Sequence, residues 1–184
     1  NETSTISVIS AGNTVITYTN TDVCTKTTTI TVNPLPTITA VDKVCVGSSI
    51  TLQGSLTANG TTPWSSSSPV FGSINGTTET ATLSGLANGN TTVSYKNANG
   101  CTVSKLITVN SLPTLTGLSA VCVGSSISLT GSITAATTTP FANGSPTITS
   151  ITNTNEVATI TGLAAGNSII SYTNGNGCST TSNI

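Results

Sequence analysis

Short runs of this chain alternate, residue by residue, between an apolar side chain and Thr or Ser. Ile50 and Leu52 are the apolar positions of 49–53, and Ile127 and Leu129 repeat them 77 residues later. Ala81 and Leu83 share one face of 79–83. Val93 and Tyr95 form a further pair, matched by Ile16 with Tyr18 and by Ile170 with Tyr172. Ile107 and Val109 continue the series and correspond to Ile30 and Val32. A period of two puts such residues on one side of a half-buried strand. Trp64, replaced by Phe141 in the later copy, follows a proline and opens another strand. The turns between strands (47–49, 85–90 and 97–100) are rich in Gly and Asn, which tolerate positive φ. Short strands with turn signals every 8–12 residues predict an all-β sandwich.

The alternation is written more than once. Cys24, Cys101 and Cys178 are spaced by 77 residues, as are Cys45 and Cys122, Tyr18, Tyr95 and Tyr172, and Glu2, Glu79 and Glu156. Residues 45–107 slide onto 122–184 without a gap and with 34 identities, a period too well supported to be chance. Pro34-Leu35-Pro36 and Ser111-Leu112-Pro113 fall between copies, where proline stiffens a short connector. The expected division is therefore 1–35, the C-terminal part of a truncated repeat; 36–112, a complete repeat; and 113–184, a repeat lacking the end of its last strand. A chain in this phase is expected to be a stretch of a longer tandem array.

Composition narrows the chemistry. With no His and five scattered carboxylates, little is left for general acid–base work at neutral pH, so no enzyme is expected. Four lysines without arginine cannot neutralise a run of phosphates, which argues against nucleic acid. No apolar run approaches the roughly 18 residues of a membrane span, and the first residues do not form a signal peptide. The chain carries 41 Thr and 26 Ser against 9 formal charges, and this β-branched, near-neutral composition is unlike that of a disordered segment.

At Trp64-Ser65-Ser66-Ser67-Ser68-Pro69-Val70, then Gly85-Leu86-Ala87-Asn88-Gly89-Asn90 and Val93-Ser94-Tyr95, the sequence resembles bacterial immunoglobulin-like domains of group 2. Cys45-Val46-Gly47, Asn99-Gly100-Cys101 and the Pro-Leu-Pro linker are similar to repeats of giant secreted surface adhesins of Bacteroidota. The resemblance covers essentially the whole chain. It implies tandem immunoglobulin-like sandwiches, export by type IX secretion, and a place at the cell surface in attachment or gliding motility. The later copy departs from it, with Phe141-Ala142-Asn143-Gly144-Ser145-Pro146 in place of the Trp-Ser-Ser motif, so that surface is not a fixed binding motif.

Five cysteines without catalytic partners suggest disulfides and an oxidising, extracellular setting. The period permits Cys45–Cys101 with Cys122–Cys178, Cys24–Cys45 with Cys101–Cys122, or Cys45–Cys178. In an immunoglobulin-like sandwich, Cys45 lies at the end far from the chain's point of arrival and Cys101 at the near end. A strand of some seven residues keeps them roughly 20 Å apart, whereas a disulfide needs Cα atoms about 4.4–6.8 Å apart. Stacking repeats end to end brings Cys45 towards Cys178, so this pairing is favoured and the same-repeat pairing is the alternative. Cys24, Cys101 and Cys122 would then find partners in further repeats.

The remaining candidates read as structural. Trp64, Phe141, Tyr18, Tyr95 and Tyr172 are expected in the core, with carbohydrate stacking on Trp64 the weaker alternative. Glu2, Glu79 and Glu156 read as edge-strand gatekeepers. Asp22 and Asp42 are too few for Ca²⁺ and do not recur in the other copies, so no metal or cofactor is expected. Asn-x-Thr/Ser triplets at Asn59, Asn75, Asn90 and Asn143 are glycan acceptors by pattern alone. The favoured function is a structural repeat region of a long extracellular adhesin or filament, with repeats of about 35–45 Å. Its expected partners are neighbouring repeats, lateral copies in a filament and surface glycans. The alternatives are a glycan- or ice-binding module, for instance through the Thr-rich 25–31, and the spacer of a secreted enzyme.

Overall fold

A computed structural model describes every residue except 1, 2, 133 and 136. The described residues form strands and turns with no helix. The chain opens with a hairpin of β1 (Gly12–Thr19) and β2 (Thr25–Val32). Eight strands follow: β3 (Ile38–Thr39), β4 (Lys43–Cys45), β5 (Ser49–Gly54), β6 (Trp64–Ser66), β7 (Gly72–Asn75), β8 (Thr80–Gly85), β9 (Gly89–Lys96) and β10 (Thr102–Asn110). The remaining seven are β11 (Leu115–Gly117), β12 (Ser126–Gly131), β13 (Phe141–Asn143), β14 (Thr149–Thr154), β15 (Val157–Gly162), β16 (Ile169–Thr173) and β17 (Ser179–Asn183).

Strands β3 to β10 make one immunoglobulin-like sandwich of two four-stranded sheets, ordered β3-β5-β8-β7 and β4-β10-β9-β6. The stretch before β5 serves both. β3 pairs antiparallel with β5 in one sheet, and three residues later β4 pairs in parallel with β10 in the other. That crossover places Cys45 opposite Asn110, at the very end of β10. Leu52, Ala81 and Leu83 from the first sheet meet Val44, Trp64, Val93, Tyr95, Ile107 and Val109 from the second in a single buried cluster. Because side chains alternate in direction along a strand, the hydroxyls between these residues face water. There they pair across strands, Ser49 with Ser84 at 3.0 Å and Ser94 with Ser104 at 2.8 Å.

The later strands repeat the plan, with sheets β11-β12-β15-β14 and β13-β16-β17 around Leu129, Phe141, Ala158, Ile160, Ile170, Tyr172 and Ile184. Each core is centred on an aromatic pair. The Trp64 and Tyr95 ring centroids are 4.6 Å apart, and those of Phe141 and Tyr172 are 4.8 Å apart. The polar tips are satisfied as burial demands: Trp64 Nε1 donates to the Thr78 carbonyl and the Tyr95 hydroxyl to that of Leu56. Gly54 is required because a Cβ there would stand 2.6 Å from the Tyr95 ring.

Tyr18 is a correction. Its counterparts Tyr95 and Tyr172 are fully buried, yet Tyr18 is 50% exposed. The cause is the sheet it belongs to: β1 and β2 form a two-stranded sheet, without the facing sheet that covers Tyr95. The alternation correctly places Tyr18 on the apolar side of its strand, but burial needs a second layer.

Candidate functional site

The cysteines draw attention to the junction between the two sandwiches. Cys101 and Cys178 close similar hairpin turns. In the first, the Asn97 amide donates to the Cys101 carbonyl, the Gly100 amide to the Asn97 carbonyl, and the Cys101 amide to Asn97 Oδ1 at 2.9 Å. Asn174, Gly177 and Cys178 reproduce all three bonds. Gly100 and Gly177 sit at φ of 83° and 81°, where a Cβ is disfavoured. Asn97 and Asn174 are buried beneath the turns. Asn97 also reaches across to the linker, its Nδ2 donating to the Pro34 carbonyl at 3.3 Å.

A second clasp holds the same end of each sandwich. Glu79 Oε1 accepts the Ala58 amide at 2.8 Å, and Glu156 Oε1 accepts that of Ala135 at 2.9 Å. Ala58 and Ala135 in turn bridge Asn97 and Asn174. This corrects the gatekeeper reading of Glu79 and Glu156: each carboxylate is bonded to a loop 21 residues away. Glu2 lies outside the described residues. The Ala58 bond, reinforced by Glu79's own amide, holds the Glu79 carboxyl below its ordinary value. Burial, and then the charge of Glu79, push the Tyr95 hydroxyl up; burial and Glu156 do the same to Tyr172.

At the other end of the first sandwich, the β4–β10 ladder and the bond from the Val46 amide to the Asn110 carbonyl fix Cys45 beside the linker. Here it meets the second sandwich. Cys45 and Cys178, 133 residues apart in sequence, form a disulfide with a Cα separation of 5.7 Å. Cys101 immediately precedes β10 and Cys45 pairs with Asn110 at its far end, so a bridge within the repeat would have to span roughly 30 Å at about 3.3 Å per residue. Cys24, Cys101 and Cys122 hold free thiols. Of the five cysteines expected to form disulfides, two do so, because the Cys45-to-Cys178 pairing leaves no cysteine in the matching place for the other three.

Comparison with solved structures finds partial matches at low sequence identity. A 282-residue C-terminal fragment of intimin, solved with the intimin-binding domain of its translocated receptor, matches with a TM-score of 0.49 and 14% identity. That match covers 80% of this chain, which spans 62% of the fragment. Domains 4 and 5 of the S-layer protein SbsC match at TM-score 0.32 and 13% identity, over 82% of this chain and 96% of theirs. A Bacteroides ovatus glucan-utilisation protein, SGBP-B, solved with a mixed-linkage heptasaccharide, matches at 0.30 and 17%, over 94% of this chain and 50% of its own. No protein-family profile matches the sequence, and no curated protein does.

Among the described residues, no three of His, Cys, Asp and Glu gather where a metal could sit. Asp42 acts through its backbone, whose carbonyl accepts the Thr108 amide. Asn97 ties the first sandwich to the linker before it, Glu79 and Glu156 each clasp a loop of their own sandwich, and the Cys45–Cys178 bond ties sandwich to sandwich. Sequence reasoning named the cysteines but missed Asn97 and Asn174. The signal was present, since Asn20, Asn97 and Asn174 share the 77-residue phase.

Proposed function

We propose that this chain is a structural repeat region of a long extracellular adhesin or surface filament, supplying reach and stiffness for attachment or motility. Its units are 36–112 and 113–184, preceded by the C-terminal part of another, 1–35. The observation that carries the reading is the Cys45–Cys178 bond, which crosses a three-residue linker already stiffened by Pro113. A bond there adds little to chemistry and much to rigidity, because it removes the bending freedom of the connector. Disulfides persist in oxidising compartments, which supports an extracellular location. The paired hydroxyls of the wet faces keep long sheets soluble without charge. The finer assignment, a type IX-secreted Bacteroidota adhesin, rests on the motif resemblance at 45–47, 64–70 and 85–101.

Small-angle scattering tests the reading. The oxidised chain is expected to give a narrow distance distribution for the two sandwiches. Reduction, or Cys45→Ser, should broaden that distribution while leaving Trp64 fluorescence native. Identical scattering with and without the bond would remove its mechanical role. Selective binding on a glycan array would instead favour a ligand-binding module.

A further inference from the structure

The hairpin β1–β2 presents an apolar face that the two sandwiches bury. Ile16, Tyr18, Ile30 and Val32 stand 77 residues before Val93, Tyr95, Ile107 and Val109. The later four are at most 1% exposed; of the earlier four, Tyr18 is 50% exposed and the others are only half-buried. Beside Ile30 and Val32 runs an open groove of about 280 Å³ lined also by Ile6, Val8 and Ile9, all exposed. Ile6 holds the phase of Leu83, a core residue of β8, but 3–9 forms no strand. The edge is open as well. β10 receives Lys43–Cys45 in parallel at Thr108–Asn110, whereas the corresponding 31–33 lies at the end of β2, which pairs with β1 alone among the described strands.

The thiol of Cys101 completes the pattern. Its sulfur lies 4.0 Å from the Asn33 carbonyl oxygen. Asn33 is the counterpart of Asn110, opposite which Cys45 stands, and Cys101 is the counterpart of Cys178, to which Cys45 is bonded. The same two positions are thus in place one repeat earlier, and only the strand that brings the cysteine is missing.

Building on the repeat-array reading, we propose that the β1–β2 face, its edge at 31–33 and Cys101 form one covalent docking site. Its occupant is a further segment of the 36–77 kind. That segment supplies strands like β3, β5 and β7, covers Tyr18, orders 3–8 as the β8-like strand, and lays a Lys-Val-Cys strand along 31–33. The incoming cysteine then bonds to Cys101. Two thiols lose two electrons and two protons to a small disulfide such as oxidised glutathione, which leaves as two thiols. The staple seen once in this chain becomes the rule at each junction.

The test appends a copy of residues 36–77 directly before Asn1, preserving the 77-residue phase, and folds the chain in a glutathione redox buffer. Peptide mapping should link the appended copy of Cys45 to Cys101. Tyr18, the one exposed tyrosine of the original chain, should lose its reactivity to tetranitromethane. With Cys101→Ser the appended thiol should stay free while Tyr18 remains protected. A link to Cys24 instead, or a Tyr18 as reactive as before, overturns the proposal. So does a Cys101-linked dimer of the original chain, which would make a second copy the occupant. The Cys45–Cys178 bond, mapped in the same digest, reports on the array reading separately.

Discussion

Glu79 shows how much one side chain does at the end of a sandwich. Its carboxylate accepts the Ala58 amide, and this bond holds its pKa below the ordinary 4.5. A carboxyl depressed by folding adds stability above its unfolded pKa and loses it as pH falls through the folded one. The difference in stability between wild type and Glu79→Ala should therefore be constant at neutral pH and shrink below about pH 4.5. Chemical denaturation across pH checks this; a difference that persists in acid would assign the effect to packing. Val23 carries a different strain. It sits at φ 63° where the equivalent Gly100 and Gly177 sit at 83° and 81°. A β-branched residue there costs about 1–3 kcal/mol, against roughly 0.5–1 for the extra freedom of glycine when unfolded. Val23→Gly should stabilise the β1–β2 turn by about 1 kcal/mol, read as slower exchange of the Asn20 and Val23 amides, which bond across the turn. Gly54→Ala should do the reverse to the first core. Its new Cβ meets the buried Tyr95 ring, and overpacking of this kind costs about 1–3 kcal/mol in denaturant unfolding. The phase of Glu79 was visible in the sequence. Its role was not, because its partner is a backbone amide 21 residues away in a loop with no pattern of its own.

Strands were the most legible elements. Alternation placed 49–53 and 79–83 within a residue or two of β5 and β8, and the inward pair Val93 and Tyr95 in β9. The passage of the chain from β3 in one sheet to β4 in the other was not legible, since two- and three-residue strands are too short to show a period. Nor was the exposure of Tyr18, since a strand's pattern says which face is apolar and not whether another sheet covers it. Between elements, the buried Asn97 is decisive: it accepts the Cys101 amide and donates to the linker carbonyl of Pro34. Asn97→Ala leaves a buried amide unpaired, which typically costs about 1–3 kcal/mol. The expected outcome is earlier unfolding of the first sandwich together with faster amide exchange at 97–101. An unchanged midpoint would show that the turn holds without its side chain.

At the scale of the molecule, composition and covalent structure agree. With 67 hydroxyl side chains and 9 formal charges, the chain makes its wet surfaces from Thr and Ser. Ser126 with Thr161 at 2.7 Å and Thr173 with Ser179 at 2.8 Å repeat in the second sandwich the pairing seen in the first. The disulfide was within reach of sequence reasoning because strand length alone separates Cys45 from Cys101. The three free thiols were not, since pairing depends on which repeat stands next to which. The central feature of the molecule is the covalent staple between its two sandwiches. Peptide mapping of the 184-residue chain under non-reducing conditions, after alkylation of free thiols, tests it directly. The expected result is a single cross-linked peptide joining Cys45 to Cys178, with Cys24, Cys101 and Cys122 alkylated; a peptide joining Cys45 to Cys101, or Cys24 to Cys45, would contradict it.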